Sequence, residues 1–312
     1  MEVPRKPRPT GARKLKGTTK ISPSVNTQHG YAISHDGVQI FYSLEGSGEP
    51  LVFCYGLVCS SLHWTYQIDH FKNHSQAIWF DYRGHHNSSV PKDLSSLTIS
   101  NFARDLEAVF NTIGLKNAVL IGHSMGSSVA LEFYRQFPDR VKGLVLANGT
   151  AKQPLETLLH NPNIIPSGFN LIRQAYLYSP ALFAKIWSLQ KGNALMRLVV
   201  KLAGFNPHLA ADEDVERYVS QIEEMDPGVL LNVLEAYQNF DTTSWLHTIR
   251  VPTLILSGDE DKVTPPEQQQ LLHQLIPGSK IEKIRHGSHC PQMDQPEMIT
   301  SKIEEFLKSI SN

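Results

Sequence analysis

The fold is decided by residues 118–126, Ala-Val-Leu-Ile-Gly-His-Ser-Met-Gly, in which four apolar residues end abruptly in a Gly-x-Ser-x-Gly motif. The apolar run is typical of a fully buried strand. The residues after Ser124 favour a helix, so the serine stands at a sharp corner where Gly122 and Gly126 let neighbouring chain approach. The motif predicts a nucleophilic Ser124, although a glycine-punctuated turn with a helix-capping serine fits the same residues.

The composition is that of an ordinary globular protein. Of 312 residues, 41% are hydrophobic and 19% are charged. This length suits one large α/β domain or two smaller ones. No apolar run approaches the roughly eighteen residues that a membrane span needs, so we expect no transmembrane helix.

The start of the chain differs from the rest in charge. Residues 1–20 hold seven Lys and Arg against Glu2 alone, together with three prolines and few large apolar residues. Such a segment buries too little surface to offset its ordering entropy, and it lacks the apolar core of a secretory signal. We therefore predict a basic, disordered tail over residues 1–29. A solvated extension is favoured over an arm that touches anionic surfaces, and we expect no nucleic-acid partner.

The three cysteines favour a reducing compartment. Cys54, Cys59 and Cys290 form neither an even disulfide framework nor a zinc-binding spacing, so we expect a cytoplasmic protein. Cys290 adjoins His289 and fits either a reactive thiol or a small buried apolar residue, of which the second is favoured.

The remaining pattern alternates strands and helices. An Asp36-Gly37 turn between two alternating apolar runs predicts an antiparallel hairpin. Further short apolar runs predict six more strands, with amphipathic helices between them and a closing helix over 297–310. Strands alternating with helices indicate an α/β fold with a mostly parallel sheet covered by helices.

Residues 151–250 break this alternation, because they contain long helical stretches and no convincing strand. The predicted helices are Asn170–Gln190, Ala194–Ala203 and Asp212–Ile222. We predict an all-helical cap over the active site, inserted between core segments 30–150 and 251–312. About a quarter of its large apolar residues are expected to line a pocket. Those residues are Phe169, Leu171, Ile172, Tyr176, Tyr178, Leu182, Phe183, Trp187, Met196 and Leu202.

A serine nucleophile needs a base and a carboxylate that orients the base. On this kind of sheet the order along the chain is Ser, then Asp or Glu, then His, each after a strand. The strand ending at Gly258 is followed by Asp259, Glu260 and Asp261, and the next predicted strand is followed by His286 and His289. The acid and the base are therefore both predicted to follow a strand, as the mechanism requires. Three acids and two bases are candidates.

At these residues the chain resembles the α/β-hydrolase superfamily, in particular its cofactor-independent esterases, perhydrolases and carbon-carbon bond hydrolases. The resemblance covers about residues 30–310. The matching stretches are Tyr55-Gly-Leu57, Asp81-Tyr-Arg-Gly84, Gly122-His-Ser-Met-Gly126, Gly258-Asp-Glu-Asp261, Gly287-Ser-His289 and Asp294-Gln-Pro-Glu297.

The resemblance implies Ser124 as nucleophile, Asp261 as acid and His289 as base. It also implies an oxyanion hole made by the backbone N–H groups of Leu57 and Met125. It implies no cofactor and no metal. Two residues depart from the family pattern, since Tyr55 stands where a histidine usually precedes the glycine and His86 stands where a second glycine is common.

Two other histidine features are assigned no catalytic or metal-binding role. His123, inside the motif, is expected to be structural. The adjacent His85 and His86 lack further ligands at metal spacing, so they predict no metal site.

The predicted function is hydrolysis of an ester or thioester of a lipophilic small molecule through an acyl-enzyme on Ser124. Epoxide-hydrolase chemistry in its usual form is disfavoured because it needs a carboxylate nucleophile. Carbon-carbon bond hydrolysis, acyl transfer or peracid formation on the same triad remain alternatives, as does a non-catalytic ligand receptor of the same fold.

Overall fold

The structure is a computed structural model that describes residues 27–57, 59–157, 164–189 and 192–311. Most of the predicted basic tail lies outside the described residues. Eight strands form one sheet flanked by helices. The strands are β1 (Gln28–Ile33), β2 (Gln39–Gly46), β3 (Glu49–Cys54), β4 (Ser75–Phe80), β5 (Ala118–His123), β6 (Val141–Ala147), β7 (Thr253–Gly258) and β8 (Lys280–Ile284).

The sheet has the order β1-β2-β4-β3-β5-β6-β7-β8. β1 pairs with β2 in an antiparallel hairpin, and β2 pairs antiparallel with β4. All other neighbours are parallel. The hairpin turns at Asp36-Gly37, where Gly37 has a φ of 85° that glycine adopts without strain. The predicted α/β-hydrolase fold with a mostly parallel, eight-stranded sheet is therefore confirmed.

β5 lies at the centre of this sheet, between β3 and β6. All six of its residues are buried, which explains why the strand reads as an apolar run and not as an alternation. Because β3, β5, β6, β7 and β8 are parallel, their carboxyl ends meet at one edge. The loops that leave that edge carry the predicted site residues.

Twelve α-helices are present among the described residues. They are α1 (Thr65–Phe71), α2 (Ile99–Thr112), α3 (Met125–Gln136), α4 (Pro154–Thr157), α5 (Ile164–Tyr178), α6 (Pro180–Ser188), α7 (Ala194–Gly204), α8 (Asp212–Glu224), α9 (Pro227–Gln238), α10 (Pro266–Leu275), α11 (Pro291–Asp294) and α12 (Pro296–Ile310).

One predicted helix is in fact two. The stretch 170–190 is divided between α5 and α6, which meet at Ser179 and Pro180. Proline lacks the N–H that would continue α5, and it disfavours helical geometry at the residue before it, so Pro180 opens a new helix. Ser179 accordingly has non-helical backbone angles, with a φ of −151° and a ψ of 84°.

A helical block, α4–α9, lies in sequence between β6 and β7. Its helix α9 contributes Val229, Val233 and Tyr237 to the main hydrophobic core that the sheet also forms. A smaller apolar cluster joins Phe205, at the end of α7, to Cys290 after β8. Cys290 is fully buried and burial raises the pKa of its thiol, so it packs as a small apolar residue and not as a reactive one. The exact limits of the cap, 151 and 250, stay a prediction.

A network of ion pairs around the buried Arg83 anchors the loop after β4. The Arg83 guanidinium donates to both carboxylate oxygens of Asp105 on α2, at 2.6 and 2.8 Å, and to Asp36 in the hairpin turn at 2.6 Å. The Arg83 and Asp105 side chains are 0% exposed. The network therefore ties the hairpin, the loop after β4 and α2 together.

Candidate active site

Ser124 occupies a sharp corner between β5 and α3. Its φ of 52° and ψ of −122° fall in a region that non-glycine residues rarely adopt. The corner is tight because a Cβ on Gly122 would lie 2.5 Å from the Gly126 carbonyl oxygen, and a Cβ on Gly126 would collide with the Cys54 carbonyl. The Ser124 side chain makes no helix-capping hydrogen bond, so the capping interpretation of the motif is wrong.

The hydroxyl of Ser124 points instead to a histidine. Ser124 Oγ lies 3.1 Å from His289 Nε2, and His289 Nδ1 lies 3.0 and 3.2 Å from the two carboxylate oxygens of Asp261. All three side chains are buried. Asp261 follows β7 and His289 follows β8, so the structure brings together the three residues that the sequence analysis selected.

Asp261 is held in a fixed orientation by its own loop. Its carboxylate accepts hydrogen bonds from the backbone N–H groups of Val263 and Thr264, at 2.8 and 3.0 Å, and lies 2.9 Å from the Thr264 hydroxyl. A carboxylate fixed in this way can set the tautomer of His289 by accepting from Nδ1–H. Nε2 is then free to accept the proton of Ser124.

The competing acids and base have other partners. Glu260 Oε1 lies 2.8 Å from His286 Nδ1, and both side chains are about half exposed. Asp259 lies 3.8 Å from Lys283. The competing acid Glu260 and the competing base His286 thus contact each other at the surface. Asp261 and His289 contact each other in the protein interior.

The expected oxyanion donors, Leu57 and Met125, belong to segments close to Ser124. Leu57 lines the cavity in front of the serine, and Met125 is the first residue of α3. Neither amide has a partner among the turn and loop hydrogen bonds of the described residues. A Cβ on Gly56 would lie 3.3 Å from Ser124 Cβ, so glycine lets the Leu57 segment approach the nucleophile.

Tyr55 replaces the family histidine as a brace. Its hydroxyl accepts from the Tyr82 N–H at 3.0 Å and donates to Asp81 at 3.4 Å, while its carbonyl accepts from the Tyr82 hydroxyl at 2.8 Å. Burial raises the pKa of the Tyr55 phenol, which keeps it neutral. Although Tyr55 departs from the family pattern, its hydrogen bonds still connect the loops that follow β3 and β4.

His123 is structural, as expected. Its Nε2–H donates to the carbonyl of His289 at 2.7 Å, and this bond fixes the backbone that carries the candidate base. Behind it lies His63, whose ring stacks on Tyr218 with centroids 4.9 Å apart. Both ring nitrogens of His63 are buried without a hydrogen-bond partner in the described residues, and burial lowers its pKa to about 3.

The sequence analysis missed Tyr237, on α9. This buried side chain lines the cavity beside Ser124, and its phenol lies close to the hydroxyls of Ser124 and Ser128. It nevertheless has no hydrogen bond of acceptable geometry within the described residues. An unpaired buried hydroxyl is costly unless a ligand satisfies it, so Tyr237 is a candidate to contact bound substrate.

A cavity of about 290 Å³ opens in front of Ser124 and His289. Its lining is predominantly apolar and comes from both the core and the helical block. The lining residues are Gly56, Leu57, Cys59, His123, Ser124, Pro154, Leu155, Val199, Val200, Ala203, Gly204, Tyr218, Ile222, Leu234, Tyr237, Val263, Thr264 and His289.

About a quarter of the ten large apolar residues named for the cap were expected to line a pocket, and the structure differs. Of the ten named large apolar residues, none whose side chain is described lines this cavity. Tyr178 is 92% exposed and Leu171 is 73% exposed. The apolar faces of α5 and α6 point outward, while small and branched residues of α7 and residues of α8 and α9 face the serine.

The histidine pair His85 and His86 lies in the loop after β4 and contacts the backbone. Nδ1 of His85 and Nε2 of His86 each contact a backbone carbonyl, at 3.2 and 2.7 Å. The group of potential metal ligands found within the described residues is His70, His74 and Glu304, at the surface on α1, the turn after it and α12.

With this geometry in view, the chain belongs to the alpha/beta hydrolase fold family, whose sequence profile matches residues 49–296. It is a hydrolase of that fold. None of the helices in the described parts of the chain has the length and apolar character to cross a membrane.

Individual relatives differ in what their names say they hydrolyse. The chain is 26% identical over 298 residues to epoxide hydrolase 4 of Mus musculus, covering 92% of this chain and 81% of that one. It is 25% identical over 304 residues to a proline iminopeptidase of Saccharolobus solfataricus, covering 92% and 94%. Among solved structures, a thermophilic esterase of Thermogutta terrifontis superposes with a TM-score of 0.72 at 24% identity, covering 91% of this chain and 100% of that chain.

Proposed function

We propose that the protein is a serine hydrolase that cleaves an ester or thioester of a lipophilic small molecule through an acyl-enzyme on Ser124. The observation that carries the proposal is the hydrogen-bond chain from Ser124 Oγ through His289 to Asp261, in which Ser124 and His289 line an apolar cavity. A hydroxyl, an imidazole and a carboxylate in this arrangement suit nucleophilic acyl transfer.

In the first half-reaction, Ser124 Oγ attacks the carbonyl carbon while its proton passes to His289 Nε2. The carbonyl oxygen gains the negative charge and accepts hydrogen bonds from the N–H groups of Leu57 and Met125, each worth about 3 kcal/mol. The carbon–oxygen or carbon–sulfur bond then breaks, and His289 gives its proton to the leaving group. Asp261 stabilises the imidazolium between these two transfers.

In the second half-reaction, water takes the place of the leaving group. His289 removes its proton as the water oxygen attacks the acyl carbon, and the bond to Ser124 Oγ breaks as the proton returns to that oxygen. The free acid leaves and the site is restored. The contacts of Ser124 Oγ with His289 and of His289 with Asp261 support the proton transfers in both half-reactions.

The cavity supports a lipophilic substrate. Leu155, Val200, Ile222 and Leu234 offer no charge to a ligand. Three basic residues of the helical block could in principle attract an anionic substrate, but each forms an ion pair with a carboxylate. These pairs are Arg173 with Glu235, Arg197 with Glu216, and Lys201 with Asp212.

Epoxide opening is disfavoured by chemistry despite the epoxide hydrolase relative. A carboxylate nucleophile yields an ester that water can cleave, whereas attack by the Ser124 hydroxyl would leave an ether that this site has no means to hydrolyse. The same triad also suits carbon-carbon bond hydrolysis, acyl transfer and peracid formation. A panel of esters of graded chain length, run beside a diketone, an acceptor alcohol and peroxide, separates these reactions.

The deciding experiment is labelling with a fluorophosphonate, together with hydrolysis of nitrophenyl esters. Wild type should take one label, Ser124→Ala should take none, and Asp261→Asn and His289→Gln should lose activity about a thousandfold or more. Glu260→Gln and His286→Gln are matched controls that should retain activity close to wild type. Absence of both label and ester turnover in wild type would overturn the proposal and favour a receptor. Full turnover by Ser124→Ala would overturn it in favour of a different nucleophile.

The cytoplasmic location stays a prediction. The three cysteines are free and buried, which is compatible with the reducing compartment that their number and spacing favour.

A further inference from the structure

Three side chains that can bind a metal ion meet at the surface where α1 lies against α12. They are His70 at the end of α1, His74 in the turn after it, and Glu304 on α12. The sequence analysis did not single them out. Their ligand atoms all lie within 4.8 Å of one another. None of the three lines the cavity in front of Ser124, so the cluster is separate from the candidate active site.

One carboxylate oxygen of the cluster contacts both imidazoles. Glu304 Oε1 lies 2.8 Å from His70 Nε2 and 3.7 Å from His74 Nε2. Ligand atoms of a tetrahedral zinc ion lie about 3.3 Å apart, since each is about 2.0–2.1 Å from the metal. The two separations lie on either side of this value, so small side-chain rotations would bring the atoms to zinc-binding distances.

The helices that carry these ligands are held together by buried contacts one turn away. Gln67 on α1 is buried, and its side-chain amide donates to the Pro296 carbonyl and the Thr300 hydroxyl of α12, each at 3.3 Å. His70 follows Gln67 by three residues, and Glu304 follows Thr300 by four, so each ligand lies on the same helix side as the contact. Packing of the two helices therefore places the ligands opposite each other.

Both imidazoles are also restrained by an aromatic neighbour. The ring of the buried Phe71 has its centroid 5.0 Å from that of His70 and 5.6 Å from that of His74. Rings that are already packed lose less conformational entropy when a metal orders them. The side chains of the cluster are still between 30% and 49% exposed, so an ion can reach them from solvent.

Two neighbouring charges act on the cluster in opposite directions. Lys308 Nζ lies 3.7 Å from Oε2 of Glu304, the oxygen that does not contact the histidines, and its side chain is 77% exposed. Such a lysine can turn into solvent when a cation binds. Glu297 lines the same surface cleft as His70 and Glu304, and its carboxylate favours a cation there.

We propose that His70, His74 and Glu304 form a zinc site that cross-links α1 to α12. Two imidazoles and one carboxylate are ligands that zinc binds, and a tetrahedral ion keeps its fourth position for water. Magnesium and calcium prefer oxygen ligands alone, so the two nitrogen ligands select against them. The site does not depend on the proposed function.

The test is calorimetric titration of the full-length protein, prepared without an affinity tag and freed of metal by a chelator. Zinc chloride at micromolar concentration is compared with magnesium chloride. Wild type should bind one zinc ion and no magnesium, whereas His70→Ala, His74→Ala and Glu304→Gln should each bind zinc about tenfold or more weakly. Zinc should raise the thermal unfolding midpoint of wild type, because the site exists only in the folded protein, and should not raise that of the three variants.

His286→Ala is the matched control. His286 Nδ1 and Glu260 Oε1 are also 2.8 Å apart, but no third ligand joins this pair in the described part of the chain, so the variant should bind zinc as wild type does. Lys308→Ala should bind zinc at least as tightly as wild type, because it removes a positive charge.

The proposal is overturned if wild type binds no zinc, if it binds magnesium equally well, or if His286→Ala loses zinc to the same degree as the ligand variants. Zinc binding that survives in all three ligand variants would place the ion elsewhere and would also overturn it. Failure of ester hydrolysis with intact zinc binding would contradict the proposed function alone.

Discussion

The backbone of Ser124 is strained. A non-glycine residue with a φ of 52° is held at a cost of order 1–3 kcal/mol, which persists only where surrounding contacts impose it. Here the contacts are backbone against backbone, between Gly126 and the end of β3. The strain aims the hydroxyl at His289 and away from the helix that it would otherwise cap.

Tyr237→Phe tests whether the unpaired phenol contacts the substrate. Removal of one hydrogen bond to an uncharged ligand costs about 0.5–1.5 kcal/mol, so kcat/KM for the preferred ester should fall roughly two- to tenfold. Stability should be unchanged or slightly higher, because the hydroxyl has no partner in the described residues. Steady-state kinetics and thermal unfolding of the same samples measure both effects.

Tyr66→Phe is the control for that substitution. The Tyr66 hydroxyl donates to Asp214 at 2.8 Å and lies outside the cavity, so kcat/KM should not change. Equal kinetics of Tyr237→Phe and wild type on every ester tested would show that the phenol fills space only.

The sequence was sufficient for the three candidate catalytic residues but not for Tyr237 or His63. Ser124, Asp261 and His289 each follow a strand in a recognisable local pattern. Tyr237 and His63 sit on helical segments where an aromatic residue is equally compatible with ordinary packing. The tertiary packing of α9, which its own sequence does not show, places the phenol close to Ser124.

At the scale of elements, the strands were easier to predict than the faces of the helices. Buried parallel strands have a continuous apolar sequence whatever lies beside them. An amphipathic helix shows that it has two faces but not what each face meets. For this reason the expectation that about a quarter of the cap's large apolar residues line the pocket could not say which ones, and Pro180 was not identified as the start of a helix.

Arg83→Ala is expected to destabilise the protein strongly. The substitution leaves Asp105 buried without its counter-charge, which costs about 3–5 kcal/mol of unfolding free energy. Burial already raises the pKa of Asp105, and the Arg83 guanidinium opposes that rise. Urea unfolding followed by circular dichroism measures the loss, and the double variant Arg83→Met, Asp105→Leu should recover most of it.

Lys142→Ala is the matched control. Its ion pair with Glu49 has the same 2.6 Å separation as the Arg83–Asp105 pair, but its side chains are 41% and 44% exposed. Removal of such a pair should cost less than about 1 kcal/mol. Similar losses for the two single variants would show that the buried network does not anchor the loop after β4.

At the scale of the whole molecule, buried neutral histidines make stability depend on pH. An unfolded His63 takes up a proton below its ordinary pKa of 6.5, whereas the folded one does so only near pH 3. Stability is therefore present above pH 6.5 and is lost as pH falls toward 3. At pH 5 the His63 contribution to this loss is about 2 kcal/mol.

His63→Phe should remove that contribution while keeping an aromatic ring on Tyr218. The free energy of unfolding of the variant, relative to wild type, should improve by about 2 kcal/mol between pH 8 and pH 5. Chemical denaturation at the two pH values measures the change. An identical difference between variant and wild type at both pH values would mean that His63 does not titrate on unfolding.

The order of the strands in the sheet also governs when Ser124 and His289 come together during folding. Ser124 and His289 are 165 residues apart in sequence, and β6 must find β7 across the whole helical block. Contacts at such separation form late, because closure of a long loop costs entropy before pairing returns it. If the proposed function holds, a growing chain that has completed β5 and α3 carries Ser124 without His289, so it should not hydrolyse esters during its own synthesis.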